Sequence, residues 1–575
     1  SVFEHENPAL KSLPLAVQQK QIVVTCNYEA RRRGLYKLQL VKEARQICPD
    51  VVIVLGEDLT RFRDASKHLY AFLRAFSWND KVERLGFDEV FMDVSDLISY
   101  NVGLLNPNHL PHSFFCLSKN DPAAGFAFDA SSDAGTVYPH PDQASNKIPL
   151  GAPDSDFDAL RLRLRLGSHL AEYLRHQLET EKGYTCTVGI STSKLLAKLV
   201  GNVHKPNGQT TLLPPYFSDV EDDNVTSFIG GHEIGKIPGI GFKLAQKLRS
   251  HVLQRAPDFD TGLVYGGTKE NVTVATVRNH PGVDCETLEQ ILGGPGSPHG
   301  IGSKVWGLLH GSDDTEVGQA RDVPTQISIE DSYTRLHTLE EVLKELRILS
   351  KSLLKRMHAD LLEDDEQMNG PDDPHTDNDS LSSVRRKRWM AYPKTLRLST
   401  RPRPPQNPDG SRNRSFARIS RSVPMPSFIF NLKESIEVLT DRLVAEVLLP
   451  LFKRLHPEKS GWNLSLVNLA ATNMIDAASE KGGVGRDISK MFKRQDEILK
   501  PFKGRDISEQ PLRLRSTDRH GSEDVPTPSQ EYTEDMEWQS DDEDAVADDS
   551  FQCEECGSVM PMFALAAHSR WHAQG

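Results

Sequence analysis

Two adjacent carboxylates, Asp88 and Glu89, stand in the stretch Leu-Gly-Phe-Asp-Glu-Val-Phe-Met-Asp. Alternating apolar and charged residues from 85 to 93 predict a strand or hairpin that begins near this pair. Carboxylates on such a platform supply the hard oxygen ligands that Mg²⁺ takes together with substrate phosphates. A solvated acidic pair in a hairpin has the same pattern, and this stretch alone leaves both interpretations open.

Two further segments carry groups suited to a polyphosphate. Tyr28 and Arg31 are three residues apart, which places a hydroxyl and a guanidinium on one face of a predicted helix. Lys205 precedes Pro-Asn-Gly in a predicted loop, where an ammonium can neutralise phosphate charge. An ordinary surface helix and an exposed loop lysine are the alternatives.

A Gly-rich hairpin resembles the helix-hairpin-helix clamp for a DNA backbone. Pro238, Gly239 and Gly241 lead into an amphipathic segment that begins near Lys243. Glycines at a helix start offer backbone N–H groups to a phosphate with little side-chain obstruction. A plain turn between two helices is the alternative.

Four residues near the end of the chain have the spacing of a zinc site: Cys553, Cys556, His568 and His572. Two thiolates and two imidazoles at this spacing predict a closed tetrahedral Zn²⁺ site in a small ββα finger. The metal would fold a unit that has no adequate core of its own.

Charge is distributed unevenly along the 575 residues, whose net charge is -13. Residues 384–421 hold 12 Lys or Arg and one acid, whereas residues 523–549 hold 12 Asp or Glu and no Lys or Arg. The basic segment includes Arg397 and Arg401 on a predicted strand, as on a surface that binds phosphates, although a solvated strand face is the alternative. The acidic segment predicts a disordered tail.

The chain is long enough for three to four domains and has no apolar run of the ~20 residues needed to span a bilayer. Scattered cysteines favour a reducing compartment. Short strands and helices from 13 to 62, a helix from 60 to 76, and helices and strands from 157 to 212 predict an α+β layer. Residues 100–156 show no periodicity and predict an insertion or long loop.

The next region, residues 213–321, looks mostly helical. Residues 322–475 show strand patterns and an amphipathic helix near 434–454, interrupted by an acidic, structureless segment at about 360–380.

Together these motifs resemble the Y-family translesion DNA polymerases. The resemblance rests on residues 17–31, 56–63, 83–89, 194–200 and 205–207, and the basic strand region extends it to about 475. It implies an α+β multidomain, right-hand fold: fingers 1–61, palm 62–212, thumb 213–321, little finger 322–478, a disordered linker 479–550 and a zinc finger 551–575.

The resemblance also implies roles for individual residues. Asp88 and Glu89 would bind Mg²⁺ or Mn²⁺ in a two-metal site that transfers a nucleotide from a dNTP to a primer. Triphosphate contacts are implied for Thr25, Tyr28, Arg31 and Lys205. Positions that narrow the site over the template base, in the branch of the family that favours Hoogsteen pairing, are Gln19, Lys20, Ile22 and Val24. Contacts with primer–template DNA are expected from Pro238, Gly239, Gly241, Lys243, Arg397 and Arg401.

In the family, the first metal carboxylate and the aromatic residue that screens out ribonucleotides lie before the position that corresponds to Ser1. We therefore expect that preceding residues are missing. We also expect the chain as given to be inactive or severely impaired in primer extension.

The C-terminal segment resembles the ubiquitin-binding zinc finger of a Y-family polymerase. That resemblance implies ubiquitin or a ubiquitinated sliding clamp as a partner and the nucleus as the location; residues 385–388 also suit a nuclear localisation signal. Arg570 stands where the family usually has Asp, a charge reversal that weakens small interfaces. A nucleic-acid or structural finger is the alternative.

Two other classes of protein remain as alternatives to a translesion polymerase. A noncatalytic scaffold that binds DNA and ubiquitin would keep the fold without a complete metal site. A nucleotide cyclase would share the paired metal carboxylates but would not need the hairpin clamp or the basic strands.

Overall fold

The computed structural model describes residues 2–140, 155–214, 223–258, 270–294, 296–364, 387–403, 418–458, 461–477, 550–552 and 559–561. Its described residues form two compact units that divide between Ala320 and Arg321. Helices and strands are mixed in both units, as an α+β multidomain chain requires. No helix within the described ranges is long and apolar enough to cross a membrane.

The N-terminal unit begins with a four-stranded sheet. Its elements are α1 (Val2–Glu6), β1 (Leu15–Gln19), β2 (Ile22–Cys26), α2 (Tyr28–Arg32), β3 (Gln39–Leu40), α3 (Val41–Ile47) and β4 (Val52–Leu55). The strand order is β3-β2-β1-β4, with β1 antiparallel to β2 and parallel to β4. Ala16 and Val23 pack against Ala30 and Ala44 of the helices. The strands predicted within residues 13–62 are confirmed.

A second layer follows in the same unit. Its elements are α4 (Thr60–Arg74), β5 (Val82–Leu85), β6 (Glu89–Met92), α5 (Ser95–Leu104), β7 (Ser113–Cys116), β8 (Gly125–Phe128), β9 (Thr136–Tyr138), α6 (Ser155–Lys182), β10 (Val188–Ile190), α7 (Lys194–Val200) and β11 (Gln209–Leu212). Strands β5 and β6 form a hairpin, as do β7 and β8. The parallel sheet β10-β11-β9 has every residue of its central strand buried, as parallel sheets covered by helices require.

The expected long loop at 100–156 is wrong for the residues that the structure describes up to 140. They contain the end of α5 and the strands β7, β8 and β9. The strands are only three or four residues long, too short for a periodic pattern, and aromatic packing holds the β7–β8 hairpin against α6. Phe115 and Phe126 stack with ring centroids 5.0 Å apart, and Phe126 stacks on Tyr173 of α6 at 4.4 Å.

The unit ends in a helical region, residues 223–311. Its helices are α8 (Asn224–Gly230), α9 (Phe242–Leu253), α10 (Val274–Arg278), α11 (Cys285–Leu292) and α12 (Ile301–Leu309). One residue from each buries a common apolar core: Ile229, Leu248, Val277, Leu288 and Val305. The prediction of a mostly helical region is confirmed.

The C-terminal unit packs helices on one antiparallel sheet. Its elements are β12 (Ile327–Ser332), α13 (Leu339–Leu361), β13 (Leu362–Asp364), β14 (Lys387–Trp389), β15 (Ala391–Pro402), β16 (Ile419–Pro424), α14 (Ile436–Leu443), α15 (Leu449–Leu455) and β17 (Leu464–Asp476). The sheet order is β12-β17-β15-β16. A π-helical turn, Val444–Leu448, joins α14 to α15, so the helix predicted near 434–454 is confirmed.

Two predictions for this unit need correction. The sequence pattern missed α13, which begins with a capping box between Thr338 and Glu341. The acidic segment placed at about 360–380 starts too early, because Leu362–Asp364 pairs with Lys387–Trp389 as a short hairpin. Residues 365–386 lie outside the described residues.

The last described element is a hairpin of β18 (Ser550–Gln552) and β19 (Val559–Pro561). It brackets the Cys-x₂-Cys segment predicted to bind Zn²⁺. Cys553, Cys556, His568 and His572 themselves lie outside the described residues, as does the acidic tail at 523–549.

Candidate active site and nucleic-acid interface

The paired carboxylates lie at the tip of the β5–β6 hairpin. Asp88 is the last residue of a three-residue turn, and Glu89 is the first residue of β6. The turn starts at Gly86, whose φ of 69° is in the left-handed region that glycine adopts without strain. Both carboxylates are exposed. Asp88 therefore projects from a turn, and the simple strand alternation begins only at Glu89.

Helix α4 holds this turn from one side. The Ser66 hydroxyl donates to the Phe87 carbonyl oxygen at 2.5 Å. Arg84 of β5 donates to the Ser66 hydroxyl at 2.8 Å and to the Gly86 carbonyl oxygen at 3.1 Å. These bonds satisfy turn carbonyls that have no strand partner, and they fix the backbone that carries the carboxylates.

Helix α7 holds the hairpin from another side through two lysines one helical turn apart. Lys198 Nζ lies 3.1 Å from Glu89 Oε2, in a pair that is largely solvent-accessible. Lys194 is only 6% exposed, and its Nζ lies 2.9 Å from Glu83 Oε2. The Gly318 N–H also donates to Glu83, at 2.8 Å. The exposed pair adds little stability, whereas loss of one partner from the buried pair would be costly.

The two carboxylates are the groups of this turn that could hold a metal ion. Within the described residues, no group of three or more His, Cys, Asp or Glu could enclose a metal ion. Two exposed carboxylates on a braced turn fit Mg²⁺, which keeps several of its six positions for water and phosphate oxygens.

The residues assigned to the triphosphate lie on β2, on α2 and in a loop. Thr25 is the next-to-last residue of β2. Tyr28 and Arg31 share one face of α2, with the guanidinium 4.9 Å from the ring centroid. Arg31 Nε donates to the Cys26 carbonyl oxygen at 3.2 Å. Lys205 lies in the exposed loop between α7 and β11. The predicted shared face of Tyr28 and Arg31 is confirmed.

Asn27 positions α2 and was missed by sequence reasoning. Its side-chain oxygen accepts from the N–H groups of Ala30, at 2.9 Å, and Leu15, at 3.0 Å. Its amide nitrogen donates to the Leu13 carbonyl oxygen at 2.8 Å. An Asn just before a predicted helix is an N-cap signal, so the pattern was available.

The residues assigned to the template base surround the β1–β2 turn. Gln19 Nε2 donates to the Gly56 carbonyl oxygen at 2.7 Å, which ties the turn to the end of β4. Lys20 has a φ of 50°, in the left-handed region. Ile22 and Val24 are half-buried on one face of β2, as strand alternation predicts.

The Gly-rich hairpin forms a tight turn directly before α9. The Ile240 N–H donates to the Ile237 carbonyl oxygen at 3.0 Å, and Gly239 has a φ of 87°. Gly241 is the N-cap of α9, and it has no side chain with which to cap this end. Gly239 and Lys243 are exposed. The N-cap position therefore carries no side chain that would compete with an anion, which is compatible with the anion-binding interpretation.

One face of the C-terminal sheet is polar. Leu396 and Leu398 of β15 enter the core, so the alternating Arg397 and Arg401 lie on the opposite face. Arg401 Nε donates to the Ser465 hydroxyl of β17 at 3.1 Å. The predicted alternation of basic and apolar residues on this strand is confirmed.

An acid on the same polar face was missed by sequence reasoning. Glu330 of β12 accepts from Arg418 at 2.8 Å and from Asn468 of β17 at 3.2 Å. The face is thus polar with a mixed charge, and Arg418 already has a partner there.

Comparison with known proteins defines the class. Residues 1–202 match the sequence model of the impB/mucB/samB family, and residues 324–484 match that of its C-terminal domain. The two matches cover well over half of the chain, and the chain belongs to this family, the Y-family DNA polymerases. The resemblance inferred from the motifs is confirmed.

Individual relatives narrow the comparison. DNA polymerase iota of Homo sapiens is 30% identical over 480 residues, which are 83% of this chain and 51% of the relative. DNA polymerase iota of Mus musculus is 32% identical over 354 residues, 62% of this chain and 40% of the relative. DNA polymerase iota of Drosophila melanogaster is 39% identical over 216 residues, which are 37% of this chain and 25% of the relative. The chain thus spans about half the length of the human relative and less of the others.

Proposed function

We propose that this protein carries out template-directed, low-fidelity translesion DNA synthesis. The observation that carries the proposal is the braced Asp88–Glu89 turn in a chain of this family, with Lys198 against Glu89. Relatives named DNA polymerase iota, eta and IV support the assignment of the reaction class.

The reaction is attack of a primer 3′ oxygen on the α-phosphorus of a dNTP, with pyrophosphate leaving. Asp88 and Glu89 would hold Mg²⁺ or Mn²⁺, which supplies neutralisation of the charge on the reacting oxygens and phosphates. Their turn is fixed by Ser66 and Arg84, so the carboxylates are ordered before substrate binds.

The remaining residues hold the substrates. Tyr28, Arg31 and Lys205, with Thr25, bind the triphosphate, and the guanidinium suits bidentate phosphate contacts. The β1–β2 turn, with Gln19, Lys20, Ile22 and Val24, covers the template base. These roles rest on the family resemblance and on the exposure of the phosphate-binding side chains.

The domain assignment follows the same proposal. Residues 1–61 are the fingers, 62–212 the palm, 213–321 the thumb and 322–478 the little finger, followed by a linker and a zinc finger from 551. DNA would contact the hairpin through Pro238, Gly239, Gly241 and Lys243, and the polar sheet face through Arg397 and Arg401. The glycine at the N-cap of α9 and the alternation of β15 support these contacts.

The C-terminal finger is proposed to bind Zn²⁺ and ubiquitin or a ubiquitinated sliding clamp in the nucleus. Titration of residues 545–575 with ubiquitin, with and without Zn²⁺, tests this. Chemical-shift changes confined to the zinc-loaded peptide support it. Binding to nucleic acid instead, as Arg570 would favour, gives the finger a different role.

Primer extension tests the central proposal. The full-length protein should extend a primer with Mg²⁺ or Mn²⁺, and the double variant D88N/E89Q should lower extension about 100-fold or more. Primer–template affinity should change by no more than about twofold, because the turn is kept. The matched control is E172Q, at an exposed acid on α6 with no assigned role.

Two outcomes separate the alternatives. Extension that survives D88N/E89Q overturns the catalytic assignment. DNA binding by the full-length protein without extension identifies a scaffold.

A further inference from the structure

The loop that carries Lys205, residues 202–208, is tightly folded. Asn207 has a φ of 50°, in the left-handed region that few residues other than glycine and asparagine adopt easily. A Cβ atom at Gly208 would collide with the His204 carbonyl oxygen. This close approach leaves the backbone little room for another conformation.

Arg175 of α6 holds the end of this loop. Its Nη2 donates to Asn207 Oδ1 at 2.9 Å, and its Nη1 donates to Gln209 Oε1 at 3.2 Å. Its Nε donates to the Cys186 carbonyl oxygen, just before β10, at 3.3 Å. One guanidinium thus joins the loop, β11 and the segment before β10, which uses the fixed fork geometry that lysine lacks.

Gln209 anchors Arg175 in the core. It is 2% exposed, and its Nε2 donates to the carbonyl oxygens of Ala134, at 2.9 Å, and Ser168, at 2.8 Å. Both of its polar atoms are therefore satisfied, and the acceptor that it offers to Arg175 is fixed.

His204 holds the start of the loop. Its Nδ1 lies 2.8 Å from Thr210 Oγ1 and 3.0 Å from Thr136 Oγ1. The Thr136 hydroxyl donates to the Gln209 carbonyl oxygen at 2.6 Å. The lone pairs of the Thr136 hydroxyl oxygen are therefore left to accept a hydrogen bond. Lys205 thus lies between His204, which is bonded to β9 and β11, and Asn207, which is bonded to Arg175 of α6.

We propose that Arg175 is a positioning residue for Lys205 in dNTP binding. The inference deepens the proposed function and rests on it, because it needs Lys205 to contact the triphosphate. Arg175 acts through the loop, because its hydrogen bond to Asn207 fixes the backbone conformation that orients the Lys205 ammonium. A loop held in this way binds phosphate without first losing conformational freedom, which raises affinity.

The test measures dNTP binding, so it does not depend on catalysis. The full chain is bound to a primer–template duplex whose primer lacks a 3′ hydroxyl, with Mg²⁺, and is titrated with the complementary dNTP. R175A should weaken dNTP binding about tenfold and leave duplex affinity within about twofold. R175K should recover little, because one ammonium cannot serve three divergent acceptors.

Two further variants isolate the route through the loop. N207G keeps the left-handed backbone without strain but removes the acceptor, so it should weaken dNTP binding in the same direction. Hydrogen exchange at the amides of residues 203–208 should be faster in R175A and N207G. The matched control is R163A, at an arginine of the same helix that donates to Ser99 at 2.8 Å. It should change neither dNTP affinity nor hydrogen exchange in the loop.

A double-mutant cycle with K205A decides the proposal. R175A should weaken binding about tenfold in the presence of Lys205 and by less than about twofold in the K205A background. Equal effects in the two backgrounds would mean that Arg175 acts elsewhere and would overturn the inference. If K205A alone leaves dNTP affinity unchanged, the triphosphate role of Lys205 fails, and the positioning role of Arg175 fails with it.

Discussion

Two hairpins in the helical region have the same type of turn but different residues at the N-cap of the helix that follows. In one, the Ile240 N–H donates to Ile237 at 3.0 Å; in the other, the Val283 N–H donates to His280 at 3.1 Å. Each has Pro-Gly at the centre, with Gly φ values of 87° and 83°, which is the type II pattern. Each turn is followed by a buried apolar residue and then by a helix, α9 or α11.

The two hairpins differ at the next residue, which is the N-cap of the following helix. The N-cap of α9 is Gly241, which has no side chain to offer. The N-cap of α11 is Asp284, whose carboxylate accepts from the Thr287 N–H at 2.7 Å. A third helix start is also closed, because Glu289 accepts from the Gly302 N–H at the start of α12, at 2.6 Å.

The comparison shows that a Pro-Gly hairpin does not by itself make a phosphate site. A carboxylate at a helix start takes the N–H groups that an anion would need and repels that anion. The N-cap residue of α9 carries no carboxylate, whereas Asp284 caps α11 and Glu289 of α11 accepts from the start of α12. The fold thus contains a DNA-binding candidate and two internal controls.

The largest effect is expected from moving the carboxylate to the first hairpin. G241D should lower primer–template affinity by about tenfold or more at low salt, because a charge of the wrong sign would occupy the proposed phosphate site. The helix should not be destabilised, because Asp is a favourable N-cap. Affinity measured from 50 to 200 mM salt, with G241A as the control without charge, checks this.

Equal affinities for the two variants would show that the hairpin does not approach the DNA backbone. A loss of similar size in G241A would mean that the glycine is needed for steric reasons. Either result would remove the distinction between the two hairpins.

Much of this comparison was visible in the sequence. Ile-Pro-Gly-Ile-Gly and His-Pro-Gly-Val-Asp are similar five-residue strings, and an acid before a helical segment is a cap signal. The Asp88–Glu89 pair and the alternation around Arg397 were likewise local patterns. Local spacing was enough because each feature is formed by neighbours in the chain.

Features that depend on distant residues were not predictable in this way. Glu289 caps a helix that begins 12 residues later, and Arg175 bonds to Asn207, 32 residues away. Lys194 finds Glu83 across 111 residues. Strands β7, β8 and β9 depend on pairing and packing with other elements, such as β11 beside β9 and Tyr173 of α6 against Phe126, which a short string of residues does not reveal.

An intermediate effect is expected at the third helix start. E289A removes the acceptor of the Gly302 N–H and should lower the free energy of unfolding by about 1 kcal/mol. Primer–template affinity should stay within about twofold, since this start is proposed to bind no DNA. Chemical denaturation checks the first value, and E289Q, which keeps an acceptor oxygen, should lose less. Weaker DNA binding at unchanged stability would contradict the assignment of this start as closed.

The smallest effect is a pH dependence at the second hairpin. Hydrogen bonds from the Thr287 backbone and side chain hold the pKa of Asp284 below its ordinary value, so the folded state binds its proton less readily than the unfolded state. The stabilisation is therefore present above the ordinary carboxyl pKa and is lost as pH falls through the lowered one. D284N can cap but cannot titrate, so its thermal midpoint should be a few degrees below that of the unmodified chain at neutral pH, and this gap in midpoint should close in acid.

The control is G241N. The gap in midpoint between G241N and the unmodified chain should not close in acid, because the first hairpin has no carboxylate at its N-cap. Thermal midpoints of the three proteins between pH 7 and pH 2.5 measure both gaps; a gap for D284N that persists in acid would mean that its cap is not electrostatic.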